Sequence, residues 1–143
     1  VYKGEIQGQS LAIDVDVFTD DGESTKDNEK GELVVKKPFP SMPIKFWGDD
    51  DGKKYHEAYF TRFKNIWHHG DFVERTSNNG FIVRGRSDAT LNPGGVRIGT
   101  SEIYQQVENI DFITEGLVVG QDYKDDVRII LFVTTQDNKK LDE

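Results

Sequence analysis

No cysteine occurs among the 143 residues. That excludes disulfides and thiolate metal ligands and fits a reducing compartment, so the expected location is the cytoplasm. No apolar run is long enough to cross a bilayer, and no signal-peptide pattern occurs. A basic patch is missing too. The 18 Lys and Arg stand against 26 Asp and Glu, and the formal charge of -8 opposes adsorption onto nucleic acid or anionic lipid. The pairs Lys36-Lys37 and Lys139-Lys140 are too short to change this, and Lys53-Lys54 sits directly behind three aspartates. Neither a GxxxxGK[ST] phosphate loop, nor GxGxxG, nor a recognisably spaced Ser, His and Asp set is present, and no internal repeat is visible.

What is there divides into a β-rich first part and a mixed second part. LAIDVDVFT (11 to 19) alternates Leu11, Ile13, Val15 and Val17 with Ala12, Asp14, Asp16 and Phe18, which predicts a half-buried strand. Asp20-Asp21-Gly22 predicts a turn, 24 to 30 a polar surface loop, and GELVVKKP (31 to 38) a second strand closed by Pro38. Pro40 and Pro43 prevent regular structure, after which Tyr55, Tyr59, Phe60 and Phe63 recur at helical spacing, an aromatic face laid on a barrel or sheet. WHHGDFVERT (67 to 76) and GFIVRGR (80 to 86) read as a hairpin around Ser77-Asn78-Asn79. Beyond it, Thr100 or Ser101 is expected to cap a helix carrying Ile103, Val107 and Ile110 on one face. Strands at 117 to 121 and 127 to 136 then flank an acidic turn at Asp122 to Asp126. The chain opens at VYKGEIQ without Met and closes on the polar KKLDE, so it is expected to be a piece of a longer protein.

Between the two parts lies GRSDATLNPGGVRIGTSEI (85 to 103), with two arginines, two carboxylates, four glycines and almost no large apolar residue. Such a stretch offers little area to bury against its chain entropy, so it is a long exposed loop or a working surface. Arg86 and Arg97 bracket a turn able to bring two guanidiniums toward one region, which suits phosphate or surface carboxylates. Asp88 suits a hinge or an ordinary turn. Gly94-Gly95 allow close approach of backbone to a thin ligand, or simply complete the turn after Pro93. In HHGDF, Asp71 is either a carboxylate accepting from a vicinal diol such as a ribose, or a strand-end turn aspartate. His68 and His69 point to opposite faces if the segment is a strand, which argues against a shared metal and for packing or a hydrogen bond near Asp71. Asp49-Asp50-Asp51 before Gly52 fail the register of a calcium loop, with Trp47 and Ala58 at its first and last positions; a solvated turn is expected.

Taken together, HGDF (69 to 72), GRSD (85 to 88) and GGVRIGTSEI (94 to 103) resemble the adenylate-forming superfamily of acyl-CoA synthetases, luciferases and peptide-synthetase adenylation domains. The resemblance implies a fold of class α+β. Residues 1 to 87 would be the distal, mostly β and barrel-like part of a large adenylating domain, 88 the hinge, and 89 to 143 the opening of a small α+β C-terminal domain. It implies that Asp71 and Arg86 hold the nucleotide ribose, that Asp88 is the hinge, that Arg97 contacts phosphate or CoA, and that Gly94 and Gly95 line the path of the CoA pantetheine arm. The wider context of VYKGEIQ, GELVVKKPFPSMPIKFW, KYHEAYF and WHHGDF narrows the acid to acetoacetate. The implied reaction joins acetoacetate to CoA at the expense of ATP, releasing AMP and pyrophosphate. Acetate- or propionate-activating relatives and a non-enzymatic β-rich interaction module are the alternatives. Implied partners are these small molecules and the remainder of the parent chain, with no nucleic acid; Mg2+ is implied with no ligand identified in this stretch. The lysine many members carry after the hinge is replaced by Leu91-Asn92-Pro93. The family's phosphate loop, acyl pocket and C-terminal catalytic lysine would lie outside these residues, so the 143-residue piece alone is expected to be inactive.

Overall fold

The computed structural model describes residues 2–6 and 8–136. The chain forms two compact units, Val1–Val83 and Arg84–Glu143.

The first unit is built on an open antiparallel sheet, with strands β1 (Val15–Phe18), β2 (Lys30–Val35), β3 (Trp67–Arg75) and β4 (Phe81–Arg86) in the spatial order of the sequence. β4 runs on past the division between the units. The sheet does not close among the described residues, so the barrel-like expectation is corrected to an open sheet. The core lies where Phe18, Val34 and Phe63 meet, with Phe18 and Phe63 edge to face at 5.5 Å. Helix α1 (Lys53–Tyr59) is a short segment with no buried residue, and it contributes rings. Tyr59 stacks on Trp67 of β3 at 3.7 Å, and Tyr55 and Phe60 stand edge-on or tilted around the same indole. The expected aromatic face on a sheet is present, although Phe63 lies beyond the helix and in the core.

Two expectations for this unit are overturned. β1 is only four residues long, because Leu11 is 98% exposed and Ala12 takes a φ of 65° in the turn before it. Both of its faces are covered: Asp16, Val17 and Phe18 are all buried. Asp16 tolerates this because Ser24 Oγ (2.7 Å), Lys36 Nζ (3.1 Å) and Arg75 Nη1 (3.1 Å) all donate to its carboxylate. Asp49, expected in a solvated turn, is also buried. Its two oxygens accept from the backbone N–H groups of Lys54 (3.0 Å) and Tyr55 (2.8 Å) and so satisfy the open start of α1. Burial raises its pKa, but these N–H donors outweigh it and the net shift is downward.

In the second unit, helix α2 (Thr100–Val107) precedes a long hairpin of β5 (Ile113–Tyr123) and β6 (Asp126–Thr135). The turn is tighter than expected. Only Lys124 and Asp125 lie outside the strands, both with positive φ (50° and 61°), the geometry that matches strand twist in a two-residue hairpin. Val107 and Val118 are buried, and the Val118 N–H donates to Tyr104 Oη at 3.1 Å, which joins α2 to β5. The helix cap differs from expectation. The N-cap is Gly99, whose N–H donates to Glu102 Oε1 at 3.1 Å, and Ile110 falls beyond the last turn. A Cβ at position 99 would stand 2.2 Å from the Arg84 carbonyl oxygen, which explains the glycine. Lys139-Lys140 and the closing KKLDE lie outside the described residues.

Candidate functional site

Asp71 lies inside β3 rather than at a strand end, and the strand is deformed around it. Val34 pairs with His68 and Glu32 with Phe72, so Leu33 of β2 stands opposite three residues, 69 to 71, where a regular ladder would have one. Gly70 makes this two-residue bulge possible by taking a φ of 87°. Across Gly70, His69 Nδ1 lies 2.9 Å from Asp71 Oδ2. The two histidines go to different partners, since His68 Nε2 lies 2.8 Å from Glu32 Oε2. Packing or a hydrogen bond near Asp71 was expected of this His pair, and it is His69 that lies beside the carboxylate.

The remaining candidates belong to the second unit and converge on one turn. β4 ends at Arg86, and a 3-10 turn over Ser87–Ala89 follows, flanked by extended backbone at Arg86 (ψ 142°) and Thr90 (ψ 144°). Arg86 Nε lies 3.5 Å from Asp88 Oδ1, and both side chains are exposed. Arg97 reaches back to the same turn: its Nε donates to Thr90 Oγ1 at 3.0 Å and its Nη2 to the Ser87 carbonyl at 3.3 Å. The guanidiniums of Arg86 and Arg97 are thus both attached to residues 87 to 90, as the turn between them predicts. A backbone bridge between Leu91 and Ile98 closes the loop that carries Arg97 back. Within that loop Gly94 and Gly95 have φ of 57° and 78°, and nothing lies within 4 Å of where their Cβ atoms would be.

One contributor went unrecognised in the sequence. Asp126, the first residue of β6, accepts the Gly94 N–H with both carboxylate oxygens, at 2.8 and 3.1 Å, and fixes the glycine turn to the hairpin end. These donors, Gly94 first and then Val127, hold its pKa below the ordinary carboxylate value against the opposing effect of burial. In the sequence it was only the last residue of the acidic turn expected at Asp122 to Asp126. Among the described residues no group of three or more His, Asp or Glu is assembled to hold a metal ion.

No family model matches the chain. The chain is 59% identical to the acetoacetyl-coenzyme A synthetase of Rhizobium meliloti over 93% of its length, and 44% identical to that of Gallus gallus over all of it. In structure it matches the acetoacetyl-CoA synthetase of Streptomyces lividans with a TM-score of 0.87, at 40% identity over the whole chain and 21% of that protein. A benzoate CoA ligase from Burkholderia xenovorans shares the fold at 22% identity and a TM-score of 0.73, covering 99% of this chain and 27% of that one. These likenesses mark the class: the chain is similar to CoA ligases, the acetoacetyl-CoA synthetases among them. Within that class, the sequences it shares are those of the acetoacetyl-CoA synthetases, and it spans about a fifth of the length of the curated relatives it matches.

Proposed function

We propose that this chain serves as the ribose-binding and hinge segment of an ATP-dependent acetoacetate:CoA ligase. In the first half-reaction a carboxylate oxygen of acetoacetate attacks the α-phosphorus of ATP, forming acetoacetyl-adenylate as pyrophosphate leaves. In the second, the CoA sulfur, losing its proton, attacks the acyl carbonyl and AMP departs. The observation that carries this reading is the bulge at Gly70, in a chain 59% identical to an acetoacetyl-coenzyme A synthetase over 93% of its length. It presents a half-buried carboxylate on a strand of the sheet, with His69 Nδ1 2.9 Å from it. An ionised carboxylate has acceptors only, so its two oxygens suit the two adjacent hydroxyls of a ribose.

Asp71, in the first unit, is assigned those hydroxyls, and Arg86, in the second, is assigned a ribose contact. Asp88 is the hinge; its short turn between two extended residues can change direction through few dihedrals. Arg97, a planar donor fork, serves phosphate or CoA, and the open glycine turn at Gly94-Gly95 leaves room for a pantetheine arm. The contribution of the segment is positioning and charge complementarity. Mg2+ would accompany ATP; among the described residues no group of three or more His, Asp or Glu is assembled to hold it.

The test is ATP–pyrophosphate exchange with acetoacetate in the full-length protein that carries this segment. Asp71→Ala is expected to lower exchange by about 100-fold, the scale of a lost positioning contact. Asp88→Pro is expected to keep exchange and lose thioester formation. If neither substitution changes either half-reaction, the reading is wrong. Residues 1–143 alone are expected to make no acetoacetyl-CoA, checked by thioester formation from acetoacetate, ATP and CoA.

A further inference from the structure

Glu32 is fully buried, at 0% exposure, and the roles proposed above make no use of it. It stands two residues from Val34 on β2, on the face that meets Phe18 and Phe63. An apolar residue of similar size would suit that face at no desolvation cost, so packing alone does not explain a carboxylate there. Its connections place it at the bulge. Its backbone pairs with Phe72, just past the bulge, while its side chain reaches His68, just before it, at 2.8 Å. One residue therefore holds both ends of the three-residue segment that carries Asp71. Arg62, beyond α1, approaches Glu32 Oε1 at 3.3 Å and Asp20 Oδ1 at 2.7 Å, and the His68 ring packs edge-on to Phe63 at 5.9 Å. The clamp is thus braced from a third segment of chain.

We infer that Glu32, acting through His68, is the positioning residue of the Asp71 bulge: it fixes the neck of the bulge and so sets nucleotide affinity without touching the nucleotide. This rests on the ribose-binding reading of Asp71. A bulge anchored only by ladder hydrogen bonds frays along the strand, whereas a buried charge-assisted bond across its neck keeps the three intervening residues in one arrangement.

Two measurements test it separately from the ribose reading. The first is amide hydrogen exchange in the full-length protein that carries this segment. Glu32→Leu, which keeps the volume and removes the acceptor, is expected to speed exchange at residues 69 to 72 by about 10-fold while Val17 and Val34 keep their protection. Glu32→Gln, which retains an acceptor for His68, is expected to stay near wild type. Unchanged exchange at 69 to 72, or equal acceleration throughout the sheet, overturns the inference. If Glu32→Leu does not fold, His68→Gln breaks the clamp from the other side, and the same two patterns decide. The second measurement is steady-state kinetics of the full-length protein. Glu32→Leu is expected to raise the KM for ATP about 10-fold with kcat within about twofold, and Glu32→Gln to restore it. Asp71→Asn is assayed alongside. If it raises this KM and Glu32→Leu does not, the positioning role fails and the ribose reading stands. If Asp71→Asn leaves the KM unchanged, the ribose reading fails and the affinity part of the inference falls with it, while the exchange data still judge the clamp.

Discussion

Asp16 shows how far a side chain can depart from what its neighbours in sequence announce. Its alternating context marks it for solvent, yet it is 4% exposed, because Ser24, Lys36 and Arg75 reach it from 8, 20 and 59 residues away. Nothing local encodes that convergence, and the same is true of Glu32 with His68, 36 residues on. Asp71, Arg86, Asp88 and Arg97 stood out as candidates because each sits in a short motif of glycines and charges whose spacing is itself the signal. Substituting Asp16 with Asn removes the charge that three donors share, and is expected to destabilise the chain by about 2–3 kcal/mol at neutral pH, read from the denaturant midpoint. Burial raises the pKa of Asp16, but the bonds from Ser24, the Val17 N–H and Lys36 outweigh it, so the folded value lies below the ordinary 3.8. A depressed folded pKa contributes stability above the unfolded value, and that contribution is lost as pH falls through the folded one. The difference between wild type and Asp16→Asn should therefore shrink as the pH drops below 3.8, and a gap that widens on acidification would contradict the assignment.

Among the elements, the strands of the first unit were legible wherever alternation or turn chemistry was strong, as in the β3–β4 hairpin with Asn79 at a φ of 59° in its turn. The bulge was not, because a positive-φ glycine inside a strand and one at its end look alike in sequence. Gly70→Ala places a Cβ at a φ of 87° and is expected to cost about 1–2 kcal/mol, measured by chemical denaturation. The helix cap was misplaced by one or two residues because Thr100 and Ser101 are both good cap formers. The close approach of the Arg84 carbonyl to Gly99, which decides the matter, is a tertiary fact. At the other end of the second unit, the clasp of Asp126 on the Gly94 N–H is a titratable contact. The Gly94 amide resonance is expected to move with a midpoint below 3.8 and to stop titrating in Asp126→Asn. Titration that persists in the variant would assign the clasp to another group.

At the scale of the whole molecule, burial is unequally shared. β2 and β3 carry Val34, Val35, Trp67, Phe72 and Val73, all buried, whereas β5 and β6 place only Val118 below the surface and leave Leu117 and Phe132 more than half exposed. Local stability follows buried apolar contact, so the Val34 amide is expected to exchange at least about 10-fold more slowly than that of Val118, and the units to lose protection in separate steps on heating. Simultaneous loss in both would show a single cooperative unit. The boundary expected at residue 88 lies a few residues past the division between the compact units, which falls between Val83 and Arg84. The closure of the sheet was not legible in the sequence, because a run of alternating strands reads the same whether its edges meet or stay apart. The bulge also sets a rule for the length of this region. Side chains on a strand change face with every residue, and β3 carries an even surplus, two residues beyond what β2 would match. Phe72 and all that follows it therefore remain on the faces they would have held without the surplus. Excising Gly70 and Asp71 together would leave each later residue on its present face, whereas excising Gly70 alone would send Phe72 and Glu74 to the face now held by Val73 and bring Val73 to theirs. Chain length here can change in twos, and a single-residue indel would invert everything downstream of it in the strand.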